Sequence, residues 1–125
     1  YKRALAVADE LLTDLRQFGM RSEIPQILYL LAQALLGLGQ DEAARNRLQE
    51  ARIEAEAIGS RRMLWSILFA LSRLEPDPVE AENLRRQAQA IIMYIVEHIH
   101  QPKLHASFLA LPLVQALLAP PNGTP

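Results

Sequence analysis

Histidine, arginine and serine are the residue types here that could do chemistry, and their spacing decides whether they do. The three histidines, His98, His100 and His105, cluster near one another. A catalytic zinc needs three convergent ligands. His98 and His100 lie two apart, so on one helix they point to nearly opposite sides. Pro102 separates His98 from His105, and no carboxylate stands three or four residues after His98 to complete a site. Surface imidazoles near a helix C-terminus, favoured by its dipole, account for the cluster, and no metal is expected. The pairs Arg61-Arg62 and Arg85-Arg86 are the candidates for phosphate contact. Helical arrays that read RNA need a basic groove, yet Glu50, Glu54, Glu56, Glu80 and Glu82 crowd the neighbouring segments. Pairs such as Glu82 and Arg86, four apart on a helix, absorb that charge. None of Ser22, Ser60, Ser66, Ser72 or Ser107 sits in a nucleophile-elbow context. The carboxylates are spread along helix exteriors, and Trp65, Phe69, Tyr94 and Phe108 read as core. The expectation is a chain with no catalytic residue, no cofactor and no metal.

Composition narrows the class further. Half of the 125 residues are apolar and 22% are charged, which is enough material for one core and argues against global disorder. Thirteen basic and fourteen acidic residues leave a net charge of −1, against a nucleic-acid binder. Zero Cys excludes disulfides, thiolate catalysis and Cys-ligated zinc. Leu and Ala dominate, β-branched residues are sparse, and five Gly occur; that balance favours helix. No segment has a signal peptide's apolar core and cleavage site. The uncharged run Ile24–Gln40 is broken by Pro25, Gln26 and Gln33. The run from Ala106 carries Pro112, Pro120, Pro121 and Pro125 and cannot be one spanning helix. No membrane contact is expected, and the location is expected to be cytoplasmic. The chain opens at Tyr1, in helical character and without an initiator methionine, which points to a piece of a longer protein.

These residues need helices to position them. Residues 2–18 place Ala4, Ala8, Leu11, Leu12, Leu15 and Phe18 on one face, closed by Gly19. Ser22 is the expected N-cap of a second helix that carries Pro25 in its first turn and stops at Gly39. Asp41 is the expected cap of a third helix ending at Gly59, and Ser60 of a fourth over 61–74. Asp77-Pro78-Val79-Glu80 opens a fifth that runs to about His100. Pro102 starts a sixth, interrupted by Pro112. Such short links favour antiparallel packing of successive helices.

The helices also recur. A shift of 40 lays Ala4 on Ala44, Leu11 on Ala51, Leu15 on Ala55 and Gly19 on Gly59. A shift of 37 lays Ala44 on Ala81, Ala51 on Ala88, Leu28 on Trp65 and Leu31 on Leu68. Residues 25–58, with Leu28, Leu31, Ala32, Leu35, Gly39, Ala44, Leu48 and Ala51 at the family's spacings, resemble a tetratricopeptide repeat. The unit 62–95 keeps Trp65, Leu68, Ala81 and Ala88. It departs at Phe69, Ser72, Pro76 and Arg85. Residues 1–19 resemble the second half of such a repeat.

The stretches IGSRRMLWSILFALSRLE, RRQAQAIIMYIVEHI and LHASFLALPLVQALLA are similar to the C-terminal ends of large bacterial signalling ATPases. In that family a central ATPase accompanies nucleotide-cyclase or DNA-binding output modules. No G-x-x-x-x-G-K-[ST] loop occurs, so nucleotide binding is not expected.

The resemblance implies an all-α, right-handed superhelix of antiparallel helix hairpins, with five or six helices in one domain over 1–119. Its parts are a half repeat (1–19), a repeat (22–59), a divergent repeat (60–100) and a capping helix (102–119). There Leu104, Phe108, Leu111, Val114 and Leu118 cover the fifth helix, and a disordered tail follows over 120–125. It also implies a concave groove, contacted by Gln26, Tyr29, Gln33, Met63, Ser66, Ala70 and Arg73. The expected role is a non-catalytic scaffold for a protein, a peptide or other domains of the parent chain. The alternative is a peptide or small-molecule sensor using the same groove. Ala4, Leu5, Ala8, Leu11 and Leu12 form a strip expected to pair with a second copy.

Overall fold

The computed structural model describes residues 2–119. The 120–125 tail, expected to be disordered, lies outside the described residues. Seven α-helices follow one another: α1 (Lys2–Gln17), α2 (Ile24–Gly37), α3 (Asp41–Ile58), α4 (Arg61–Leu74), α5 (Pro78–Glu97), α6 (Pro102–Leu109) and α7 (Pro112–Leu118). A single 3-10 turn, Arg21–Glu23, precedes α2, and no strand occurs among the described residues. The count exceeds the expected five or six because Pro112 divides the last segment. Leu111, just before that proline, is driven to an extended ψ of 132°. The fifth helix stops at Glu97, short of His100.

Two of the expected caps form and two do not. Ser60 accepts a hydrogen bond from the Met63 amide, and Asp77 accepts one from the Val79 amide. Ser22 does not cap α2. It lies inside the 3-10 turn, bonded to Glu23, and no side chain caps the helix. Asp41 is the first residue of α3 rather than its cap, and Gln40 precedes it without a capping bond. The helix ends follow backbone rules more faithfully. Gly59 takes φ 68°, the left-handed conformation that lets the Ser60 amide reach back to the Ala55 carbonyl at 3.0 Å.

Each helix from α1 to α5 packs on its neighbour in sequence, and α2 also meets α4. The core runs continuously through these contacts. On α2 it takes Leu28, Leu31, Ala32 and Leu35, and on α3 Ala44, Leu48, Ala51 and Ala55. At Ala32 and Ala44, both fully buried, the absence of anything beyond Cβ allows close approach, while the leucines fill the flanks.

The α4/α5 pair solves the same problem with different residues. Phe69 occupies the position of Ala32, and Leu84 is buried one residue before Arg85, where Leu48 would fall on the 37-residue shift. Arg85 turns aside and donates to the Leu117 carbonyl at 2.7 Å and to the Ala119 carbonyl. Gln89 adds a bond of 3.0 Å to Leu117. A cation at those orphan carbonyls satisfies the C-terminal end of α7. The residues sealing this end differ from the expected set. Val114 and Leu117 are buried and Phe108 meets Trp65 edge-to-face at 6.5 Å, whereas Leu104, Leu111 and Leu118 face solvent.

Trp65 is buried in the core. Trp65→Ala therefore costs about 3–5 kcal/mol in chemical denaturation, while Ile53→Ala, on an exposed site, stays within about 0.5 kcal/mol. Arg85→Ala removes the clasp on α7. Hydrogen exchange at the amides of α7 accelerates as local opening becomes easier by about 1–2 kcal/mol, with the α2/α3 amides unaffected.

Candidate functional site

Five of the expected groove residues, Ala70 among them, do converge. Tyr29 and Gln33 on α2 and Ser66 and Arg73 on α4 line a small cavity of about 130 Å³ with Leu36, Phe69, Ala70, Leu74 and Leu113. Tyr29, Gln33 and Leu36 fall on one side of α2, at spacings of four and three; Ser66, Phe69, Ala70 and Arg73 repeat that spacing on α4. Gln26 is exposed and lies outside this cavity. Met63 is a correction: it is 8% exposed and belongs to the core. Its burial coincides with that of Ile67 on the same helix, so α4 is covered on a side where α2, at the corresponding Gln26 and Leu30, is open to solvent.

The polar groups differ in how committed they are. Arg73 lays its guanidinium over the Phe69 ring at 4.3 Å, a cation–π contact that holds the plane of the group. It forms no ion pair among the described residues. Ser66 spends its hydroxyl proton on the Met63 carbonyl at 3.0 Å and offers only an acceptor. Burial pushes the Tyr29 phenol above its ordinary 10.0, and the Arg73 charge and the Gln33 side chain pull it back in part. The cavity thus combines apolar walls from Leu36, Phe69, Ala70, Leu74 and Leu113 with a positioned cation, an amide and a protonated phenol. No carboxylate lines it.

Leu113 could not have been placed here by sequence spacing. It comes from α7, more than thirty positions from any other lining residue, and only the Pro112 break signals that the chain turns there.

Elsewhere, no group of three His, Cys, Asp or Glu is arranged to hold a metal among the described residues. His98 stacks on Tyr94 at 4.1 Å and its Nδ1 lies 2.7 Å from the Tyr94 carbonyl; Arg61 sits over the same ring. No described helix is long and apolar enough to cross a membrane. No polar or charged residue is fully buried among the described residues.

The strip expected along the first helix is also redrawn. Leu12 is buried, and Leu5 and Ala8 are packed partly against the core. What remains open is a groove between α1 and α2, lined by Ala4, Val7, Ala8, Leu11, Ile27 and Leu30 among others.

No family model, no curated protein and no solved structure matches the chain.

The raised Tyr29 pKa makes a testable link to stability. The folded chain holds that proton more tightly than the unfolded one. The associated stability is complete below pH 10.0 and is lost as pH rises through the higher folded value. Comparing urea unfolding of the wild type and Tyr29→Phe across this range isolates the effect, which the Phe variant lacks. Arg73→Gln moves the Tyr29 transition further up in a spectrophotometric titration.

Proposed function

We propose that the chain is a non-catalytic interaction scaffold of tetratricopeptide type, whose Tyr29–Arg73 cavity receives an acidic side chain of an extended partner segment. The observation that carries this reading is Arg73, stacked on Phe69 with no carboxylate partner among the described residues, beside Tyr29 and Gln33. A guanidinium held flat presents paired N–H donors that match a carboxylate.

The cavity's size separates the two roles. Ligand sites that enclose a free small molecule run to about 300–1,000 Å³. A space of 130 Å³ suits one side chain whose remaining contacts lie along the surface. This favours a partner protein or peptide over a small-molecule sensor.

Support for the repeat class comes from burial at the family's positions. Leu28, Leu31, Ala32, Ala44, Leu48 and Ala51 are all in the core, and Trp65, Leu68 and Ala88 repeat them. On this reading the helix pairs wind into a right-handed superhelix, and the module serves a cytoplasmic bacterial signalling protein, contacting either a partner or other domains of that protein.

Selection of random dodecapeptides displayed on phage against the immobilised chain tests the proposal. Enriched sequences carry a shared Asp or Glu, and synthetic versions bind at least about tenfold more weakly to Arg73→Glu and Tyr29→Ala. The Ile53→Ser variant, changed at an exposed site away from the cavity, binds as the wild type does. Enrichment that is indifferent to Arg73→Glu overturns the assignment.

A further inference from the structure

The groove between α1 and α2 is a second site, which shares only Gln33 with the cavity around Arg73. Its volume is about 440 Å³ and its described lining is almost wholly apolar: Ala4, Val7, Ala8 and Leu11 from α1, with Ile27, Leu30, Gln33 and Ala34 from α2. Val7, Leu11 and Leu30 are 57%, 41% and 51% exposed. Large aliphatic side chains so open to water, side by side on two helices, constitute an interaction surface.

What covers such a surface is visible one step along the same chain. Ala4, Ala8 and Leu11 correspond to Ala44, Leu48 and Ala51 on the 40-residue shift. Ile27, Leu30 and Ala34 correspond to Leu64, Ile67 and Leu71 on the 37-residue shift. Ala44, Leu48, Ala51 and Ile67 are fully buried and Leu71 nearly so. The helix lying against both α3 and α4 is α2. It brings Leu28, Leu31, Ala32 and Leu35 to the contact, an apolar ridge with a small residue at its centre.

We infer that the α1/α2 groove is a docking site for one amphipathic α-helix of a partner protein, with a stripe of the α2 kind: large aliphatic residues at i, i+3 and i+7, and a small one at i+4. The groove has the small residues, Ala4, Ala8 and Ala34, that admit a ridge, and the bulky rim that grips its flanks. A second copy fits less well. An isologous pair sets groove against groove, and the alanine floors of both stay uncovered.

The probe is a fluorescein-labelled helical peptide of about sixteen residues. It carries Leu, Leu, Ala and Leu at the spacing of positions 28, 31, 32 and 35, with Glu, Lys and Gln elsewhere. Fluorescence anisotropy is expected to show saturable binding, at least about tenfold weaker for Leu30→Asp and for Val7→Asp. Both substituted sites are exposed, and unchanged thermal melts of the variants show that the fold is kept. Arg73→Glu leaves this binding intact, so failure here and failure of the cavity assignment are told apart. A peptide with Asp in place of the second Leu does not bind. Absence of binding to the wild type, or binding that survives both groove variants, overturns the inference. So does sedimentation showing a dimer that Leu30→Asp dissociates, since the occupant is then the chain itself.

Discussion

The packing of α2 on α3, with an alanine from each helix (Ala32 and Ala44) in the core, is the contact on which the remaining architecture depends. Both residues are fully buried, and α3 continues the pattern with Ala51 and Ala55. A helix whose inward face is mostly alanine occupies little depth, so α2 and α4 both lie against it without opening voids. Once those three helices are set, the side of α2 that bears Tyr29 and Gln33 lies beside the side of α4 that bears Ser66 and Arg73. An enlarged side chain at Ala44 would push α2 away and dissolve that juxtaposition.

Charge reinforces the arrangement from the opposite side. The polar flank of α3 reaches its neighbours through Arg47 to Asp9, Arg45 to Glu75, and Glu50 and Glu54 to Arg16 and Arg21. Most of these pairs are open to solvent and each contributes little. The exception is Arg45–Glu75, at 2.5 Å with the carboxylate largely shielded, where Glu75 also accepts a bond from the Asp77 amide. This pair ties the α4/α5 corner back to α3.

The helical class and most boundaries are legible in the sequence, because Gly19, Gly39, Gly59, Pro78 and Pro102 punctuate it through backbone constraints that act locally. The alanine positions of the first unit are legible for a similar reason, since small residues recurring at helical spacing mark a face where two backbones come close. Met63 departs from its expected place in the groove because its helix is covered on a side where α2 is not, which is a property of neighbours rather than of spacing. Leu113 is invisible to spacing because its place depends on where Arg85 and Gln89 anchor α7. The expected caps at Ser22 and Asp41 each miss by one residue. A 3-10 turn supplies the entry to α2 instead, and the chain enters α3 through Gln40, neither with a side-chain cap.

Arg85 and Gln89 have a consequence for the stack as a whole. By occupying the terminal carbonyls of α7 they finish one extremity of the stack, while the opposite extremity keeps an open slot. The two extremities of the described stack are therefore chemically unlike, one with its backbone acceptors spent and the other with aliphatic side chains open to water, which gives the molecule a direction along its helix order.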